Sequence, residues 1–216
     1  MKILERLKQR SIENGDKFIK NLLENNPDAK VLDVGCGNGR RTVRFAERIG
    51  TSDIVGIDAK NLGVPFEFVA GNINEGLPFE DGTFDVVISR YVIEHVSSTD
   101  LFVKEIYRVL KEGGYTVISA PNMASGRIIL ELLLNKQPKE AHVSDFFFLK
   151  KGRDHELVTQ AGYLHKRLFV MEGLVGLLAH YGFTVTCRKR MGYGALVFGE
   201  ILGGMYAANL LVKAKK

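Results

Sequence analysis

Residues 31–40 read VLDVGCGNGR, and the fold follows from that stretch. Lys30 to Val34 is a short apolar run, the pattern of a buried strand. Glycines at 35, 37 and 39 come next, and Arg40 to Ile49 then carries Val43, Phe45, Ala46 and Ile49 at helical spacing. Glycine lets a backbone turn sharply and lets a ligand approach without a Cβ in the way. The amides that open the following helix face an anionic group. The spacing is G-x-G-x-G rather than the G-x-G-x-x-G of dinucleotide sites. A tight strand-to-helix turn with no ligand fits the same residues, so the flanking sequence has to decide.

Working outward, 2–25 predicts a helix, with Ile3, Leu4, Leu7, Ile12, Phe18, Ile19, Leu22 and Leu23 near helical spacing. Short strands are expected at Asp53–Ile57, Phe66–Ala70, Phe84–Ser89 and Tyr115–Ser119, with a helix at Leu101–Leu110 before the Gly113-Gly114 break. The link from Ile57 to Phe66 is too short for a crossover helix and reads as a tight loop. Beyond Pro121, helices are expected at Ile128–Leu134 and Met171–Tyr181, and strands at Phe183–Cys187 and Asn209–Lys213. Lys136 to Arg153 reads as irregular. Alternating buried strands and helices argue for an α/β fold, a mostly parallel sheet with helices on both faces.

Composition agrees with one folded domain and an attached lobe. The chain has 216 residues, 45% hydrophobic and 25% charged, close to globular averages. The net charge of +5 is uneven: residues 1–135 hold 17 Lys+Arg against 19 Asp+Glu, and 136–216 hold 13 against 6. A basic C-terminal third favours an anionic small substrate or a headgroup surface. The lack of Trp weakens single-strand nucleic-acid binding. Two cysteines, Cys36 and Cys187, give neither a zinc spacing nor a disulfide framework. The charged, amphipathic start has no apolar signal core, so a cytoplasmic protein is expected. Met191–Val212 is long enough to span a membrane, but five glycines, Glu200 and Asn209 make it a poor span. A link into the last strand is expected there, with peripheral membrane contact beside Arg188-Lys189-Arg190 as the alternative.

Candidate ligand residues cluster at C-terminal strand ends, where open α/β sheets bind ligands. Asp58 ends the second strand and can accept two ribose hydroxyls, or can simply cap a turn. Asn72 follows the third strand and Ser89-Arg90 closes the fourth. The run VLDVGCGNGR, then GID, then GNINEGLPFEDGTFDVVISRYVIEHV, then EIYRVLKEGGYTVISAPN resembles a class I S-adenosylmethionine-dependent methyltransferase across residues 30–122.

That resemblance implies a Rossmann-like, doubly wound, seven-stranded sheet with an inserted lid. It implies S-adenosyl-L-methionine as cofactor and S-adenosyl-L-homocysteine as product. Gly35, Gly37 and Gly39 would approach the methionine part, with Asp33 orienting its amino group. Asp58 would hold the ribose diol, and Asn72 and Ile73 would flank the adenine. Arg90, largely through its backbone carbonyl, would meet the amino group of the methionine part. Two departures stand out: Asn72 replaces a frequent Asp, and the segment after Asp58 lacks the usual helix over the adenine side. More narrowly, Ala120 to Ser125, Leu132 to Pro138, His165 to Phe169 and Gly182-Phe183 resemble methyltransferases of small-molecule or lipid-linked substrates.

His95 is a candidate base or a packing histidine. Tyr91, His165 and Arg167 are candidate acceptor contacts, or a core aromatic and a solvated charge cluster. Phe146–Phe148 reads as lid packing, and Cys36 as a small packing residue. His142, His155 and His180 lack metal-ligand spacing, so no metal is expected. One methyltransferase domain is expected: 1–29 an N-terminal helix, 30–120 the cofactor core, 121–170 a lid or acceptor insertion, and 171–216 the C-terminal helix and last strands. The expected partner is a small-molecule or lipid-linked acceptor, with the chain a monomer or homodimer. An RNA or protein methyltransferase and a non-catalytic cofactor-binding regulatory module are the alternatives. Ser-Arg-Tyr-Val after the fourth strand lacks the Asn-Pro-Pro-Tyr pattern of base amino methylation.

Overall fold

A strand buried on both faces needs apolar residues at successive positions. All four residues of β1 (Val31–Val34) are buried. The computed structural model describes residues 15–138, 140–142, 147–149, 155–157, 164–191 and 207–216. Within them α1 (residues 15–22) precedes β1, and α2 (Arg40–Ile49) follows the glycine turn. Next come β2 (Ile54–Asp58), β3 (Glu67–Ala70), a single 3-10 turn at Ile73–Glu75, β4 (Phe84–Arg90), α3 (Thr99–Val109) and β5 (Leu110–Pro121). The remainder is α4 (Gly126–Leu133), β6 (Phe147–Leu149), β7 (His155–Leu157), α5 (Met171–His180), β8 (Thr184–Met191) and β9 (Asn209–Lys215).

Seven strands form one sheet in the order β3-β2-β1-β4-β5-β9-β8. The first five are parallel, and β9 enters antiparallel between β5 and β8. Successive residues of one strand serve opposite faces. Val31 packs with Ile19 and Leu23 of the α1 region and with Phe45 and Ile49 of α2. Leu32 belongs to the cluster on the other face, which also takes in Phe102 and Ile106 of α3 and Leu174 and Leu178 of α5. The strand order reverses between β1 and β4, the place where doubly wound sheets open a crevice beyond their strand ends.

Expected and observed elements agree for six strands to within a few residues. The fifth differs: β5 starts at Leu110 and passes through Gly113-Gly114, because Leu110 pairs with Phe84 and the register shifts before Val86. Lys136 to Arg153 is not wholly irregular, since β6 pairs antiparallel with β7. The loop after β2 carries no helix, as its length requires. Of the 191–212 run, Met191 belongs to β8 and Asn209–Val212 to β9; 192–206 lies outside the described residues, as do the side chains of Phe146–Phe148. Among the described residues no helix is long and apolar enough to cross a membrane.

Candidate active site

The glycine turn leaves β1 with three left-handed residues, Gly35 at φ 78°, Gly37 at 56° and Gly39 at 71°. A side chain costs about 1–2 kcal/mol in that region. At Gly35 a Cβ would also lie 2.3 Å from Val92 Cγ2, whereas at Gly37 it would meet nothing within 4 Å. The turn is braced by Asp58: Gly37 N–H donates to Asp58 Oδ2 at 2.9 Å, and Ala59 N–H to Oδ1 at 2.7 Å. Asp33 sits beneath, 6% exposed, accepting from Thr42 Oγ1 at 2.5 Å. Burial pushes its carboxyl up to about 6, against the pull of that hydroxyl and of Arg90. Cys36 packs against Gly56, and burial pushes its thiol up to about 12, which suits packing and not attack.

Asn72 and Ile73 lie beyond β3 on the same rim. The Asn72 oxygen accepts from Asn74 N at 3.1 Å, capping the 3-10 turn, and its amide donates to Glu75 Oε1 at 2.7 Å. Ile73 rests on the core beside them.

Arg90 ends β4. Its Nε lies 3.5 Å from Asp16 Oδ1 of α1, and its guanidinium stacks 4.9 Å from the centre of the Tyr91 ring. Arg41, in the first turn of α2, donates from Nε to the other Asp16 oxygen at 3.3 Å. Tyr91 takes a left-handed φ of 56° while its N–H bonds Ser119 O at 3.0 Å. Non-glycine residues adopt that conformation chiefly at strained sites. Burial pushes its phenol up to about 12, so the ring presents a neutral hydroxyl.

The turn after Tyr91 brings His95 against a distant segment of the chain. His95 Nδ1 pairs with Leu164 O at 3.1 Å, and its Nε2 lies 3.9 Å from Glu94 Oε1. The His165 ring stands 5.0 Å from that of His95 and 5.3 Å from that of His142. Segment 164–167 is held there because Lys166 N–H and Arg167 N–H both donate to Glu94 O. Glu94 is 1% exposed, and burial pushes its carboxyl up to about 8. Burial lowers both imidazoles, His165 to about 4. At neutral pH this corner therefore holds two neutral rings and a carboxylic acid.

Of the residues the sequence singled out, the structure gathers Asp33, Gly35, Gly37, Gly39, Asp58 and Arg90 around one turn. It brings His165 to His95 across 70 positions of chain. Arg167 is different: its backbone docks, while its exposed side chain bonds Lys166 O. Asp16, Arg41 and Glu94 were missed. Their burial or pairing depends on distant segments, although Glu94 is visible as the neighbour of His95. The expectation of no metal rested on other histidines. The ligand-type atoms of Glu94, His95 and His165 all lie within 4.8 Å of one another, a grouping that local spacing could not show. A recess of about 480 Å³ between Val43, Ala46, Ile54, Pro65 and Phe66 lies at the opposite strand ends.

A mostly parallel sheet of this order, with a glycine turn at its reversal point and an acid closing β2, defines a doubly wound cofactor-binding fold. Residues 32–118 match the family model described as a methyltransferase domain. The mitochondrial ubiquinone biosynthesis O-methyltransferase of Rattus norvegicus is 30% identical over 138 residues, 55% of this chain and 39% of that protein. The chain thus spans about two fifths of that curated relative's length. A putative S-adenosylmethionine-dependent methyltransferase from Listeria monocytogenes superposes with a TM-score of 0.65 at 18% identity, covering 94% of this chain and 99% of that one. The Burkholderia thailandensis 1,6-didemethyltoxoflavin-N1-methyltransferase, solved with bound 1,6-didemethyltoxoflavin and S-adenosylhomocysteine, gives a TM-score of 0.60 at 18% identity, covering 100% of this chain and 85% of that one. At such identities the structural likeness is one of fold.

Proposed function

We propose that this chain binds S-adenosylmethionine at the glycine turn and transfers its methyl group to a small-molecule acceptor. The observation that carries the reading is the bond from Gly37 N–H to Asp58 Oδ2, 2.9 Å long. It locks the turn and the closing acid of β2 into one unit, with open space above Gly37. A carboxylate so oriented keeps lone pairs for a ribose diol, and the bare turn leaves room for the arm that joins ribose to the amino acid. Asp33, Gly35, Gly39 and Arg90 line that arm. Ile73 offers an apolar flank to the adenine, and Asn72 holds the 3-10 turn beside it.

The cofactor, when bound, supplies an electrophilic methyl on sulfonium, so the reaction is an in-line displacement that needs alignment above all. His95 suits the role of base. Its Nδ1 faces a carbonyl, which places the proton there and leaves the Nε2 lone pair free to take a proton from an acceptor hydroxyl. Burial keeps the ring neutral near pH 7. Tyr91 and His165 wall the same corner, and the backbone of Arg167 fastens the segment that carries His165. A hydroxyl acceptor accords with the rat relative, which is named an O-methyltransferase.

Calorimetric titration with S-adenosylhomocysteine tests the cofactor assignment. Wild type should bind, and Asp58→Ala should bind about tenfold to a hundredfold more weakly, the range for hydrogen bonds to a charged group. No binding to wild type, or unchanged binding to the variant, overturns it. Labelled methyl transfer into fractionated extract then reports the acceptor class, and no labelled product in any fraction removes the enzymatic reading.

A further inference from the structure

Helix α4 turns its apolar side outward. Ile128 is its one buried residue. Leu130, Leu133 and Leu134 follow at i, i+3 and i+4 spacing, so they share a stripe on the side away from Ile128. They are 57%, 79% and 56% exposed, and Leu132 beside them is exposed as well. An amphipathic surface helix ordinarily buries such a stripe in its own core. A contiguous exposed apolar patch marks a surface that meets a protein or a membrane.

The charges around the stripe decide between the two. Pro121 of β5 and Met191 of β8 both pair with Asn209, so they lie level at one rim of the sheet, and α4 begins just beyond Pro121. Met123 N–H donates to Phe169 O at 2.8 Å, which brings exposed Met123 and Val170 to the same rim. Four exposed cations stand there: Lys136 two residues past the stripe, Lys166 and Arg167 docked on Glu94 O beyond β4, and Arg190 next to Met191. Among the described residues none of the four has a carboxylate partner. Glu131 and Glu140, the acids beside the stripe, are both engaged by Arg127. Aliphatic surface set among unneutralised positive charges fits a bilayer with anionic headgroups, where leucines enter the acyl boundary and the cations meet phosphate.

We propose that the outer stripe of α4, ringed by Lys136, Lys166, Arg167 and Arg190, is a docking surface for an anionic phospholipid bilayer. Docking there turns the C-terminal strand ends, with the candidate active site, toward the headgroups. The surface stands independently of the cofactor assignment. It also moves the contact that the sequence placed beside Arg188-Lys189-Arg190. Arg188 is held by Glu172, and Lys189 serves the opposite face of the sheet, its ammonium 5.6 Å from the centre of the Phe18 ring. Of those three residues only Arg190 belongs to the rim.

Sedimentation of the full chain with vesicles tests this, using phosphatidylcholine alone and phosphatidylcholine mixed in equal parts with phosphatidylglycerol. Wild type should bind the mixed vesicles and bind the neutral ones about tenfold more weakly. Leu133→Gln changes a side chain outside the core, so it should unfold at the wild-type temperature and lose about tenfold in affinity for the mixed vesicles. Lys136→Gln should lose about fivefold on the mixed vesicles, and raised salt should weaken wild type in the same direction. Lys111→Gln removes the same charge at the opposite end of the sheet, where β5 begins, and should bind as wild type does. No binding of wild type to the mixed vesicles, or equal binding by Leu133→Gln, overturns the docking surface. Equal losses for Lys111→Gln and Lys136→Gln overturn it too, since net charge alone then explains the binding. Light scattering gives a further outcome: a wild-type dimer that Leu133→Gln turns into a monomer assigns the stripe to a second copy of the chain and overturns the bilayer.

Discussion

Glu94 combines burial, a proton and a neighbouring imidazole, and its titration has a sign that can be checked. Its folded carboxyl is raised from an ordinary 4.5 to about 8 by burial. Between those values the folded chain holds a proton that the unfolded chain has released, so stability falls as pH rises through the window. Glu94→Gln removes that proton equilibrium while keeping the shape. The variant should match wild type near pH 5 and exceed it near pH 8 by roughly 2–4 kcal/mol. Urea unfolding at the two pH values measures this, and parallel behaviour of both proteins would contradict a buried acid. Sequence reading reached the letters here but not the environment. His95 was visible as a polar residue just past a strand end. Its meeting with His165 depends on two amides of a distant segment closing on Glu94 O, and no local pattern encodes that.

At the scale of elements, the turn between β1 and α2 separates a glycine that packing requires from one that faces open space. Gly35→Ala sets a methyl against Val92 in a left-handed residue, so strain and overpacking add. It should lose roughly 2–4 kcal/mol of stability. Gly37→Ala meets open space and pays only the backbone term, about 1–2 kcal/mol. Thermal unfolding together with S-adenosylhomocysteine titration distinguishes them: Gly37→Ala should stay folded yet bind poorly. If Gly37→Ala binds as well as wild type, the space above the turn is not the ligand's. This element was legible because strand, turn and helix are contiguous and each residue's role is set within ten positions. The same locality exposed the missing helix after β2. It could not reveal the extension of β5, because Leu110 joins the sheet only through its pairing with Phe84. Nor could it reveal the β6–β7 hairpin, whose pairing depends on two short segments finding each other.

For the molecule as a whole, Lys213 joins the two ends of the described chain. Its ammonium donates to Leu22 O at 2.8 Å and to Glu24 Oε1 at 2.5 Å, and stands 3.9 Å from the centre of the Tyr115 ring. It therefore closes the last turn of α1 from strand β9, and the carboxyl of Glu24 titrates below its usual range because of that bond. Lys213→Met keeps the stem and removes the charge. It should lower stability by roughly 1–3 kcal/mol in a single transition, read by chemical denaturation. A separate early transition for α1 would show that the ends are held by something else. The seven-stranded architecture was legible because alternating short apolar strands and helices leave few other arrangements. The clasp was not, since a lysine in a strand reads as an exposed residue until its neighbours are known.

The interior position of β9 has a consequence for how the protein is made. It pairs with β5 on one side and β8 on the other, yet Asn209 is synthesised 88 residues after Pro121. At about 5–20 residues per second the ribosome needs roughly 4–18 s to cover that distance. Until then β5 presents a bare hydrogen-bonding edge with the apolar residues Val117, Ile118 and Ala120 along it, the kind of edge that recruits strands from other chains. Delay over that stretch of the message should therefore prolong the exposure of the β5 edge, and chaperone demand should concentrate in that interval.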